Sequence, residues 1–247
     1  MRIFICGHSF HTFIDEPLAH LAAEAGISNH RTVGQSMIGN STVLDHWNLP
    51  DEKNPAKQAL AKGAVDVLTL SPHRLVPDRG INHFAGIAHA RNPNIRLFVQ
   101  ISWPDYPLQT IQTNRAALAT MEDNYVRTAR GQAEALNKYH GKDFVFLVPV
   151  GSALLDLVDE IEAGRVPGLT KISELFVDEK GHPSPALKAL TAYCWFSAIY
   201  GRNPEGMVSL IPEERKADPA ALAQHRALQR IAWKAVLKEP LNGLSKS

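Results

Sequence analysis

The chain alternates short apolar runs with amphipathic stretches. Runs at residues 2–6, 65–71, 95–102 and 144–150 are almost continuous in Val, Leu, Ile, Phe and Cys; the last three read VDVLTLS, IRLFVQIS and FVFLVPV. A further, more polar run at 30–34 reads HRTVG. Strands apolar at consecutive positions bury both faces, as in a parallel sheet covered by helices. Helical patterns separate the runs, at 15–25, 54–62, 80–91, 113–139, 152–163, 184–200 and 219–238. Several carry start and stop signals: Asp15, Glu16 and Pro17 before Gly26, Pro55 before Gly63, and Pro183 and Pro185 leading the helix at 184–200. Alternating strand and helix predicts a three-layer α/β/α sandwich around a five-stranded parallel sheet with right-handed crossovers. Segments 103–112 and 203–218 break the rhythm, and no linker divides the chain, so residues 1–247 are expected to form a single domain.

Composition narrows the partners. The 247 residues are 45% hydrophobic, enough for a sizeable core, and the formal net charge is +1. No global field favours nucleic acid or an acidic membrane. No run approaches the roughly 18 apolar residues of a membrane span, and the run after Met1 is too short for a signal peptide. Cys6 and Cys194 both sit in apolar runs and read as buried free thiols. A cytoplasmic location fits these features. The 11 histidines are scattered, without HExxH or CxxC spacing, so neither a metal nor another cofactor is expected.

In an open parallel sheet ligands bind beyond the carboxyl ends of the strands. Those ends read GHSFH, VGQSMIGNS, SPHR, SWPDY and PVGSAL. Taken alone, Ser9 in the first is an N-cap of the helix near Asp15 or a nucleophile on a sharp turn.

Other residues favour the second reading. The turn Gly7-His8-Ser9-Phe10 resembles the first block of the SGNH/GDSL hydrolase superfamily, Gly39 in SMIGNS matches the second, and FVDEKGHPS followed by a helix ending YGRNP is similar to the last. The resemblance spans about residues 1–206, leaving 207–247 as a C-terminal helical extension. It implies a flavodoxin-like sandwich and a split triad of Ser9, His182 and Asp178, with Glu179 a rival for the acid. It also implies an oxyanion hole from the backbone N–H groups of Ser9 and Gly39 and the side chain of Asn40 or His73. Two departures stand out. The third block normally supplies an asparagine where this chain has Ser71-Pro72-His73, so Ser71 or His73 would replace it or the hole would rely on backbone N–H groups. The acid normally precedes the histidine by three positions, whereas Asp178 precedes it by four. His11, Trp103 and Tyr106 are expected to line the substrate pocket.

A serine hydroxyl needs a neighbouring imidazole to take its proton, and the imidazole needs a carboxylate to hold its tautomer. The resemblance implies hydrolysis of a small-molecule ester, by analogy a short acetyl ester of a carbohydrate. A catalytically impaired binding module of the same fold is the alternative, since the asparagine is missing. The GxSxG elbow of α/β-hydrolases and the GxGxxG loop of nucleotide binders are both absent.

Overall fold

The computed structural model describes residues 1–73, 75–103 and 115–244. Five parallel strands form one sheet: β1 Arg2–Gly7, β2 Arg31–Met37, β3 Val67–Leu70, β4 Arg96–Gln100 and β5 Val145–Val148. Their order is β2-β1-β3-β4-β5, the flavodoxin-like arrangement. Eight helices accompany them among the described residues: α1 Asp15–Glu24, α2 Val43–Trp47, α3 Pro55–Ala61, α4 Arg79–Arg91, α5 Arg115–His140, α6 Val150–Glu162, α7 Pro185–Tyr200 and α8 Pro219–Lys238.

Alternation along the strands sets the layers. Ile3, Ile5, Val67, Phe98 and Val148 face one core, which α1, α6, α7 and α8 close. Phe4, Cys6, Leu68, Leu70, Leu97, Val99, Val145 and Leu147 face the other, closed by α2 to α5. Both sheet faces are therefore dry, which explains the near-continuous apolar runs. Cys6 and Cys194 are free and buried, and burial pushes both thiols well above their usual range. Helix α7 buries Leu187 and every residue from Ala189 to Ile199, because the sheet covers one side while α1, α6 and α8 cover others. Gly201, at φ +64°, ends it. No described helix is long and apolar enough to cross a membrane.

Two details differ from the sequence pattern. Strand β2 runs on to Met37, because its pairing with β1 continues to Gly7. Helix α2 is too short for a periodic signal, but Thr42 and Asp45 close a capping box at its start. Asp78 anchors α2 as well: its carboxylate accepts the Val43 N–H at 2.7 Å and caps α4 through the Gly80 N–H at 2.8 Å. At Gly80 the backbone of α2 comes so close that a Cβ would lie 2.3 Å from Leu44 N.

Gly80→Ala is therefore expected to destabilise the protein by at least about 1–3 kcal/mol in urea unfolding, since backbone rather than a flexible side chain must move. Gly86→Ala, on the same helix with open space around it, is expected to stabilise by up to about 1 kcal/mol. Equal effects of the two changes would contradict the close α2–α4 approach.

Candidate active site

The carboxyl end of β1 runs directly into a tight turn. The His8 carbonyl accepts the N–H groups of His11 and Thr12, 2.9 and 3.0 Å away. A 3-10 turn, Thr12–Ile14, then leads into α1, whose cap position is Ile14. Ser9 thus caps no helix. Its Oγ lies 3.0 Å from His182 Nε2.

His182 arrives from the other end of the chain on a compact turn. Val177 N–H donates to the His182 carbonyl at 2.9 Å, and Gly181 N–H to the Asp178 carbonyl at 3.2 Å. Gly181 sits at φ +84°, where a side chain would be strained. This turn folds the four-residue spacing back on itself, so that Asp178 Oδ2 lies 2.6 Å from His182 Nδ1. Asp178 Oδ1 accepts the backbone N–H groups of His182 at 3.1 Å and Lys180 at 3.0 Å. These bonds, the backbone N–H of His182 foremost, hold the Asp178 carboxyl below the usual carboxylate range. It is Asp178 that bonds the imidazole, while Glu179 stands at the pocket wall.

A cavity of about 610 Å³ opens over this row, lined by His8, Ser9, Phe10, Gly39, Asn40, His73, Glu179, Lys180 and His182. Asn40 holds a left-handed φ of +54°. The loop carrying Gly39 and Asn40 is fastened from below by His46. Ser41 Oγ donates to the Ile38 carbonyl at 2.9 Å and accepts from His46 Nε2 at 2.9 Å, and Ser36 Oγ donates to Nδ1 at 2.8 Å. Among the described residues, no protein acceptor bonds the amide N–H of Ser9 or Gly39. Ser71 does not reach the cavity: it is fully buried, with His8 Nε2 at 3.1 Å and Ser102 Oγ at 3.3 Å from its hydroxyl. Of the two candidates after β3, only His73 lines the opening.

The expected pocket residues divide differently. His11 turns inward rather than lining the cavity. It is fully buried, with Nδ1 3.1 Å from Gln100 Oε1 and Nε2 2.8 Å from Thr69 Oγ1. Gly7 makes room for it, since a Cβ there would lie 2.8 Å from the His11 ring. Trp103 also faces inward, only 1% exposed, because its indole N–H reaches the Gly181 carbonyl at 2.9 Å while its ring stacks on Phe10 with centroids 5.0 Å apart. It supports the cavity wall from behind. Tyr106 lies outside the described residues. Phe10, which the sequence pattern did not single out, lines the cavity and meets the His182 ring edge-on at 5.4 Å. Among the described residues no three His, Cys, Asp or Glu side chains gather to hold a metal.

Two comparisons concern the fold. The structure superposes on a DUF4886 family protein from Bacteroides uniformis with a TM-score of 0.60 and 16% identity, over 96% of this chain and 95% of that one. It also superposes on a candidate SGNH hydrolase from Slackia heliotrinireducens with a TM-score of 0.50 and 22% identity, over 80% of this chain and 97% of that one. At such identities the likeness concerns the fold. No protein-family model and no curated protein matches the chain.

Burial, above all, lowers three histidines around the site from an ordinary 6.5: His8 to about 4, with the neighbouring His73 adding to the effect, His46 to about 4 and His11 to about 3. The folded protein keeps them neutral while the unfolded chain protonates them, so their contribution is complete above pH 6.5. It is lost as the pH falls from 6.5 toward 4, by about 1.4 kcal/mol per group and pH unit. The melting temperature is therefore expected to fall by roughly 5–15 °C between pH 7 and pH 5.5. A flat profile there would contradict three buried neutral imidazoles.

Proposed function

We propose that the protein is a serine hydrolase that cleaves a small ester through an acyl-enzyme on Ser9. The observation that carries this is the continuous row of Ser9 Oγ, His182 and Asp178, joined at 3.0 and 2.6 Å beside a cavity. An impaired binding module would have no need of a serine hydroxyl bonded to an imidazole that a carboxylate orients. The candidate SGNH hydrolase among the structural neighbours supports the same direction.

In this reading His182 Nδ1–H donates to Asp178 and leaves Nε2 as the acceptor for the Ser9 proton. Ser9 Oγ attacks the ester carbonyl carbon as that proton moves to Nε2. The tetrahedral intermediate collapses, and the proton passes to the departing alkoxide. Water, deprotonated by the same nitrogen, then attacks the acyl-enzyme and frees Ser9. The oxyanion would be held by the amides of Ser9 and Gly39 and by a third donor from Asn40 or His73, both on the cavity wall. The short acyl group is part of the proposal. A sugar as the alcohol rests on resemblance, since Trp103, one of the residues expected to line the pocket, is buried.

With p-nitrophenyl acetate as substrate, Ser9→Ala is expected to lose about 10⁶ in kcat while melting like the parent. Full activity in this variant would end the proposal. Asp178→Asn should lose about 10³–10⁴ in kcat through the wrong tautomer, far more than Glu179→Gln. A fluorophosphonate should label Ser9 stoichiometrically, and the label should vanish in His182→Ala. The third oxyanion donor is identified by comparing Asn40→Ala with His73→Ala. The true donor loses about 10²–10³ in kcat, and if neither variant loses activity, backbone groups alone form the hole.

A further inference from the structure

Beneath the nucleophile turn, Gln100 ends a strand, RLFVQ, whose middle residues Leu97, Phe98 and Val99 are apolar and buried, and it is completely buried itself. The triad does not use it. One Gln100 Nε2–H donates to the Phe10 carbonyl at 2.9 Å and the other to Ser102 Oγ at 2.7 Å. Its Oε1 accepts from Trp195 Nε1 at 2.7 Å and His11 Nδ1 at 3.1 Å. All four hydrogen-bonding positions of the amide are thereby filled, which no carboxylate or aliphatic side chain could do.

The connections continue into a closed ring. Ser102 Oγ lies 3.3 Å from Ser71 Oγ, and Ser71 Oγ lies 3.1 Å from His8 Nε2. His8 Nδ1 accepts the Phe10 N–H at 3.3 Å, which returns to the residue where the ring began. Ser9 is the residue between His8 and Phe10, so the ring holds both of its neighbours and ties them to the ends of β3 and β4. Ser71, Gln100, Ser102, His8 and Phe10 are all at most 5% exposed.

We infer that Gln100 is a positioning residue for Ser9, fixing the nucleophile turn through this ring; the inference rests on Ser9 being the nucleophile. An apolar side chain of similar size would fill the same space without the desolvation of an amide, so packing alone does not account for Gln100. Positioning does, because an error of about 1 Å at a reacting atom costs about 100-fold in rate. None of these ring bonds involves His182 or Asp178, so the ring acts on where Ser9 stands and leaves the proton affinity of the base alone.

The test uses the full chain with p-nitrophenyl acetate and a fluorophosphonate. Gln100→Met is expected to lower kcat and the labelling rate about 10–100-fold, leave KM within about two-fold, and keep the pH midpoint of kcat. Because this change strands the His11 and Trp195 donors and can cost folding, Ser102→Ala is the second variant. It opens the ring with the loss of one hydroxyl and should lower kcat about 3–10-fold with KM unchanged. Should Gln100→Met fail to fold, Ser102→Ala decides. Folded variants with parental kcat, or a raised KM at unchanged kcat, would overturn the positioning role while leaving Ser9 as nucleophile. A parent that takes no label at Ser9 would overturn both.

Discussion

Ser9 Oγ and His182 Nε2 stand 3.0 Å apart although 173 positions separate them in the chain. Everything that brings the two ends of the sequence together must be rigid at that scale. The sheet supplies half of this. Strand β1 lies inside it, hydrogen-bonded to β2 on one side and β3 on the other, so the turn after Gly7 has no freedom to swing. Helix α7 supplies the other half. It begins three residues after His182 and is buried on nearly every side.

Two tryptophans join the halves. Trp195, on α7, donates to Gln100, the same side chain that holds the Phe10 carbonyl. Trp103, just past β4, stacks on Phe10 and donates to Gly181 in the turn that precedes His182. Each indole spans from the Ser9 side to the His182 side, one deep in the core and one beneath the cavity. Strand β4 is thus the keel of the site although it carries none of the reacting groups. A buried indole needs an acceptor for its N–H, and both find it in groups that must be held still.

The architecture was legible because a parallel sheet leaves a strong trace: both faces of β1, β3, β4 and β5 are dry, so their residues are apolar at consecutive positions. Strand β2, at the sheet edge and partly exposed, gave a shorter and vaguer run, and its true end at Met37 depends on pairing rather than composition. Asp178 and His182 were legible as a block before a helix, and their unusual spacing became intelligible only with Gly181 left-handed in the turn. The direction of a side chain at a strand end was not legible. His11 and Trp103 have the chemistry of pocket residues, yet both point into the core, since Gln100, Thr69 and the Gly181 carbonyl lie inward of them. Gln100 did leave a signal: an amide within the apolar run of IRLFVQIS, whose other polar residues, Arg96 and Ser102, stand near its ends. A buried amide must be satisfied by something, and that requirement could have marked it.

The division of labour within the site follows from where water reaches. The Asp178 side chain is 42% exposed. Water therefore screens its attraction to an imidazolium. Its hydrogen bonds are less affected, because Oδ2 holds Nδ1 at 2.6 Å while Oδ1 is tied to two backbone N–H groups. On the serine hydrolase reading Asp178 contributes mainly orientation. The electrostatic share then shifts to the donors facing the oxyanion, where each is commonly worth about 3–4 kcal/mol of barrier. The backbone donors among them, at Ser9 and Gly39, belong to the first two strand ends, and both ends are fastened by buried neutral histidines, His8 and His11 beneath Ser9 and His46 beneath Gly39. A neutral imidazole both donates and accepts, so it can close such networks with both ring nitrogens bonded.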